Sequence, residues 1–328
     1  KKNLIKKGYG NFIEIKDGEI KDFKEFKLTM YKPFTGHGYE ETSLGNLLDS
    51  ALILNDQNIT AINFNDNRPD ENACLKIKNK FKKIDLAMLN YNAAGPYPSC
   101  FDNLSVEEKK KENNRILKRN FDHLCKIIPI LKPKTVLPFA GAYVLGGKNY
   151  YKNEYLGTTT WDECADYLKK NLQDKTNIIC LRENQTFDIS DQTRLEKYER
   201  VNIKEMKNYI NSIKNYKYDY EADKTPDINK LEQDIELAKE KLLERSKRFD
   251  VDIKSNVFIE LNGKKIKILD GKDEKRKLVC EMDERLLRRI LDRKAHWNNC
   301  EIGAHITFFR SPNKMEPDVH TSLAFFHL

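Results

Sequence analysis

Apolar positions along this chain change their period several times. Residues Asn11 to Tyr31 alternate short apolar runs with charged turns, which predicts short strands. Ala51 to Leu54 and Ile59 to Phe64 are apolar runs on either side of Asn55-Asp56-Gln57-Asn58, the pattern of a hairpin. Ile84 to Asn90 is a further strand. Beyond Ser105 the period becomes helical. Leu117, Phe121, Leu124, Cys125 and Ile128 fall on one face, and Ser105 followed by Glu108 reads as a capping box. This predicts a long amphipathic helix from Ser105 to about Ile128, ended by Pro129 and Pro133. Thr135 to Phe139 is a buried strand, Thr160 and Glu163 open a second capped helix, and Asn177 to Leu181 supplies another strand.

Strand alternating with helix is the signature of a layered α/β fold, in which helices cover a sheet whose strand ends carry the chemistry. The pattern then shifts. Tyr216 to Asp227 is polar, with Pro226, and reads as a linker or crossing segment. Ile228 to Phe249 is helical, with Ile228, Leu231, Ile235, Ala238 and Leu242 on one face. Strands at Val257 to Leu261, Lys265 to Leu269 and Lys277 to Met282, a helix from Asp283 to Asp292, and strands at Gly303 to Phe309 and Ser322 to Phe326 make a small α+β unit. The expected division is 1–215, a linker and helix over 216–250, and a C-terminal unit over 251–328.

At 328 residues and 39% hydrophobic content, the chain can bury a sizeable core. No stretch approaches the roughly 18 apolar residues of a membrane span, and no secretory leader is present. The first residue is Lys, not Met, so the chain need not begin where its gene does. Net charge is +8, but Lys alternates with Glu and Asp in runs such as Glu107 to Lys111, the pattern of solvated faces. That argues against a nucleic-acid partner and leaves an anionic small molecule, such as a sugar phosphate, lactone or nucleotide sugar, as the expected substrate. Seven cysteines without a C-x-x-C pair suit reduced thiols and a cytoplasmic location.

The densest candidate chemistry lies in Ile62 to Ala73, I-N-F-N-D-N-R-P-D-E-N-A, where an apolar run ends on Asp66 and breaks into a Pro-containing turn. His37, in T-G-H-G-Y-E, and the strand ending in Y-N-A-A-G-P-Y-P would place three strand-end loops on one rim. Imidazole and carboxylate there are natural ligands for Zn, Fe or Mn. The same Asp-Asn-Arg-Pro is also ordinary turn chemistry. Arg68 is a candidate for bidentate recognition of a phosphate or carboxylate, or a salt-bridging turn residue. Tyr97, in G-P-Y-P, either walls a pocket or packs its loop down. Trp297 reads as core and His296 as a surface residue, and no His partners Cys100 or Cys125 as a nucleophile.

Several segments resemble the second half of a metallo-β-lactamase-fold protein, in the branch containing CMP-N-acetylneuraminate hydroxylase and its bacterial relatives. They are Asp49 to Leu54 with Asn63 to Asp66, Arg68-Pro69, Asp85 to Phe101, Leu137 to Tyr143, and His296 to Gly303 with Arg310, together about two thirds of the chain in the family order. The resemblance implies an αββα sandwich with a divalent metal at the strand ends, His37 as one ligand and Asp66 as a bridging carboxylate. It requires an insertion in the Gly38 to Asn46 loop. The superfamily's H-x-H-x-D-H signature is absent, since the six histidines are 37, 123, 296, 305, 320 and 327. Ala140 stands where other branches place a His, a loss shared with the hydroxylase branch.

Two ligands do not hold a catalytic metal. The simplest account is that an upstream half of the sandwich, with or without a Rieske iron-sulfur domain, belongs to the gene but not to this sequence. The alternative is a pseudoenzyme that has discarded its metal, and a homo-oligomer is the other partnership expected. The expected function is a metal-dependent hydrolase of an anionic small molecule, working through metal-activated water. The alternatives are an oxygen-dependent nucleotide-sugar hydroxylase needing a Rieske centre, or a non-catalytic remnant.

Overall fold

The computed structural model describes residues 5–34, 50–139, 141–173, 176–248 and 251–328. Its first sheet takes seven strands in sequence order: β1 (Ile20–Phe23), β2 (Phe26–Tyr31), β3 (Ala51–Asn55), β4 (Thr60–Asn63), β5 (Leu86–Asn90), β6 (Thr135–Phe139) and β7 (Asn177–Ile178). Strands β1 to β4 are mutually antiparallel, joined across β3 and β4 by the expected hairpin. From β4 to β7 the pairing is parallel, because α-helices replace tight turns as connections. These are α1 (Glu71–Lys80), α2 (Val106–Leu131) and α3 (Trp161–Asn171).

The helix starts follow from local chemistry. Asp70 caps α1, and Ser105 with Glu108 and Thr160 with Glu163 form reciprocal capping boxes on α2 and α3. Helix α2 does not stop at Pro129. It runs through to Leu131 and ends on Lys132 in a left-handed conformation at φ 46°. A proline so near the C-terminus removes one intrahelical bond, and Ile127, Ile128 and Leu131 keep the last turn buried.

Alternation fixes which face of the sheet is core. Ile53, Ile62, Ala87 and Val136 lie opposite one another across β3 to β6 and are fully buried against Cys74, Ile77, Phe121, Leu124, Ile128, Cys164 and Leu168 of the helices. Each large aliphatic side chain so buried contributes about 1.5–3 kcal/mol. The opposite face is also apolar. Its row Met30, Leu52, Met88 and Leu137, interrupted by Asn63, is only half-buried, and Leu54 is exposed.

Between the sheets lie the two-residue strands β8 (Phe187–Asp188) and β9 (Thr193–Arg194) and helices α4 (Ile203–Ser212) and α5 (Ile228–Arg248). The second sheet, ordered β11-β10-β12-β13, comprises β10 (Asn256–Leu261), β11 (Lys264–Leu269), β12 (Lys277–Glu281) and β13 (Thr307–Ser311). Helices α6 (Glu284–Leu291), α7 (Trp297–Ile302) and α8 (Pro317–Leu323) complete the chain. The second core joins Leu231, Ile235, Ala238 and Leu242 of α5 to Val257, Ile259, Cys280, Leu287 and Trp297.

Several sequence expectations change here. Ser322 to Phe326, expected as a strand, is the end of α8 and the coil after it. Pro317 sits in the first turn of that helix, and a short apolar run cannot by itself distinguish helix from strand. The strand expected over Asn177 to Leu181 pairs through two residues only, and the one expected from Gly303 begins at Thr307. Tyr216 to Asp227 is no free linker. Tyr220 is buried, and the Tyr218 hydroxyl donates to the Gly146 carbonyl at 2.6 Å. The core of the second sheet also takes Cys100, Phe101, Leu104, Leu145 and Leu156 from before residue 215, and Cys100 to Asp102 pair with Phe308 along β13.

Candidate functional site

Because β4, β5 and β6 are parallel, their carboxyl ends open on one rim, where α/β sheets place their ligand sites. Two antiparallel steps from β4 back to β2 bring the end of β2 to the same rim. The turn after β4 is built by its own polar side chains. Asn63 accepts from the Asn65 backbone N–H at 2.8 Å, Asn65 takes φ 49°, and the Asn67 N–H donates to the Phe64 carbonyl. Asn67, fully buried, accepts from the Phe34 N–H at 2.7 Å and donates to the Lys32 carbonyl at 3.2 Å, tying the exit of β2 to that of β4.

Asp66 is exposed at the head of this turn, and its Oδ1 accepts from Asn90 Nδ2 at 2.8 Å. Asn90 is the last residue of β5. Its amide nitrogen faces the carboxylate, so its Oδ1 points away, buried and without a hydrogen-bond partner among the described residues. Two residues on, Asn92 clasps the Thr159 backbone, donating to its carbonyl at 2.8 Å and accepting from its N–H at 3.1 Å. That clasp brings the start of α3 to the same rim.

Arg68 is buried and turned toward the helix layer, where its Nη1 donates to Asn120 Oδ1 at 2.8 Å. Tyr97 lies elsewhere, at the seam with the second sheet. Its hydroxyl donates to Glu112 at 3.0 Å and accepts from Asn313 at 3.3 Å, and Arg310 stacks over its ring 5.0 Å from the centroid. Burial raises the Tyr97 phenol, so it stays protonated and able to donate. The structure therefore brings Asp66 together with Asn90, and places Arg68 and Tyr97 in separate polar contacts. His37 lies outside the described residues, as do Ala140 and the Gly38 to Asn46 loop.

The rim residues that sequence reasoning passed over are asparagines. Asn67, Asn90, Asn92 and Asn120 are all buried. Asn120 had a readable signal, since it interrupts the helical stripe of Ile116, Leu124 and Ile128. The others are hidden among ordinary turn residues. The thiols are closed to nucleophilic use. All seven cysteines are free, and burial pushes Cys74 and Cys300 up to about 12 and Cys100 upward as well.

A catalytic zinc or iron takes three or more protein donors. Among the described residues no three His, Cys, Asp or Glu side chains come close enough to hold an ion, and Asn90 turns its amide nitrogen, not its oxygen, toward Asp66. These residues alone do not fit the metal that the resemblance implies. No helix among the described residues is long and apolar enough to cross a membrane.

No family model and no curated protein matches the chain. Among solved structures it is similar to a mutant of the CmlA β-hydroxylase (15% identity, TM-score 0.37, covering 55% of this chain and 34% of that one). It is likewise similar to CmlA, a diiron β-hydroxylase from Streptomyces venezuelae (14%, TM-score 0.36, covering 54% and 34%). A third is a protein described as a metal-dependent hydrolase from Parabacteroides distasonis (18%, TM-score 0.29, covering 55% and 61%). The chain spans about a third of the length of the first two and about three fifths of the third. At such scores likeness carries no inference about chemistry, and what stands is an α/β chain with its parallel strand ends on one polar rim.

Proposed function

We propose that this chain carries the strand-end part of a metal-dependent hydrolase for an anionic small molecule, on a metallo-β-lactamase-like sheet. Asp66 is its carboxylate ligand, and His37 and residues outside the described set supply the missing donors. One observation supports this above the others: at the rim of parallel strand ends, an exposed carboxylate, Asp66, is held by the side-chain amide of Asn90 at 2.8 Å. That bond orients the carboxylate at the strand ends, as the outer hydrogen-bond partners of metal-ligating carboxylates do. In this reading Arg68 is a positioning residue that fixes the turn through Asn120, and Tyr97 is a wall at the seam. The net charge of +8 suits an anionic substrate.

A second reading, a non-catalytic remnant, is favoured by the lack of a three-donor cluster among the described residues. Elemental analysis with intact mass on the purified protein separates the two. One or two Zn, Mn or Fe per chain, falling below about a tenth of that in Asp66→Ala with unchanged circular dichroism, is the result expected. Iron with labile sulfide would instead point to the oxygen-dependent hydroxylase and its Rieske centre. No metal at the mass of this sequence, or full metal in Asp66→Ala, would overturn the hydrolase proposal.

A further inference from the structure

A large cavity lies away from the rim residues. It is an open cleft of about 940 Å³ between the Tyr216 to Tyr220 strap, α5, α6, α7 and the end of the chain. Four Arg and Lys side chains line it against one carboxylate, Asp219. Of these, Arg289 is satisfied by a bidentate pair with Asp223, and Lys294 makes a 3.3 Å contact with Asp292. The other two have no carboxylate partner. Arg245 spends Nη1 on the Phe325 carbonyl, and Arg293 has no side-chain partner among the described residues.

The backbone at Arg293 sharpens the point. It takes φ 60°, a left-handed conformation that costs a non-glycine residue about 1 kcal/mol or more. Glycine would serve that turn better if only the turn mattered. His327 fits the same pattern. Its Nδ1 lies 3.0 Å from a Leu328 backbone oxygen and its Nε2 3.4 Å from Arg245 Nη1, an arrangement that suits the neutral tautomer with Nδ1–H donating. Burial pushes its imidazole down, and the charges of Arg245, Arg293 and Lys241 add to that against the pull of the Leu328 oxygen. The charges of Arg245, Arg293 and Lys241 thus converge on this corner of the cleft.

The opposite side of the cleft is aromatic. Tyr216 is 60% exposed, its ring 6.4 Å from that of Tyr218. Tyr218 in turn packs edge-on against His305, whose Nδ1 is buried and unpartnered. Guanidinium groups without a carboxylate partner, lining one cleft with an exposed tyrosine, match a ligand with a phosphate end and a planar ring. We infer that this cleft is a second binding site, independent of the metal proposal, for a nucleoside diphosphate, with Arg245 and Arg293 on the phosphates and Tyr216 stacked on the base.

Calorimetric titration of the whole chain with ADP, UDP, inorganic pyrophosphate and adenosine tests this. Saturable binding of at least one diphosphate below roughly 1 mM is expected, with pyrophosphate weaker by about tenfold and adenosine showing none. The double variant Arg245→Gln, Arg293→Gly keeps an amide donor for Phe325 and suits the left-handed turn, and should weaken diphosphate binding at least ~10-fold. Lys294→Glu, fully on the surface, should weaken it as well and stands in if the double variant misfolds. Tyr216→Ala should close the gap between nucleotide and pyrophosphate. Failure of both diphosphates to bind, binding indifferent to these charges, or pyrophosphate binding as tightly as ADP would each overturn the assignment, as would binding of single-stranded RNA alone. Asp66→Ala should leave nucleotide binding intact, so a failed metal site and a failed nucleotide site are told apart.

Discussion

The Arg68 guanidinium is held by Asn120 through a 2.8 Å hydrogen bond from Nη1 to Oδ1, and Asn120 is fully buried in the helix layer. One turn after β4 is thus fastened to the middle of α2. Replacing Asn120 by Ala removes the acceptor and leaves a buried guanidinium N–H without it, at a cost of about 1.5–3 kcal/mol. Urea unfolding reads this directly, and a loss under about 0.5 kcal/mol would show that the tie is not structural.

The tyrosine strap packs directly on Gly147. Its φ is 61°, and a Cβ there would lie 2.7 Å from the Tyr216 carbonyl oxygen and 2.8 Å from the Tyr218 ring. Gly147→Ala should destabilise the fold by about 2–4 kcal/mol, combining backbone strain with displacement of the strap. Thermal unfolding and near-ultraviolet dichroism of the tyrosines should both move. An unchanged midpoint would mean that the strap does not need this approach.

Asp85, buried at the start of β5, accepts from the Thr60 N–H at 3.0 Å and from Lys134 and Lys83 at 2.9 and 3.2 Å. Burial works to raise its pKa, but Lys134, the Thr60 N–H and Lys83 outweigh it and hold the carboxyl below its usual range. The folded state therefore favours the ionised form, and the stabilisation is complete above the unfolded value of about 3.9 and lost as pH falls through the lower folded value. Asp85→Asn should cost about 1–2 kcal/mol at pH 7, and the gap to wild type should shrink below about pH 4. A gap that stays constant from pH 7 to pH 3 would rule out this linkage.

The elements most visible in the sequence are those specified by nearby residues. Ser105 with Glu108 and Thr160 with Glu163 cap the helices they were expected to cap, and Asn55 to Asn58 turn the hairpin. Where sequence reasoning failed, the deciding contact was distant. Tyr216, Tyr218 and Tyr220 alternate at period two among Lys, Asp and Glu, so they read as linker, although Tyr218 meets Gly146 across the chain. The candidate site divided in the same way. Asp66 was legible as a carboxylate at a strand exit, although the strand stops at Asn63 and Asp66 lies in the turn beyond it; its partner Asn90, 24 residues on, becomes its neighbour only because β4 and β5 pair in parallel.

The sequence by itself determined the periods, the caps and the turn at Asn63 to Pro69, because these rest on hydrogen bonds spanning three or four residues and on alternation along a single strand. Only the tertiary structure decided that Arg68 reaches α2, that Tyr97 belongs to the seam with Arg310, and that Arg245 and Arg293 share a cleft with Tyr216. Those relations depend on which elements pack together. Packing is driven by apolar burial, which is non-directional and leaves no local mark on the residues that it brings together.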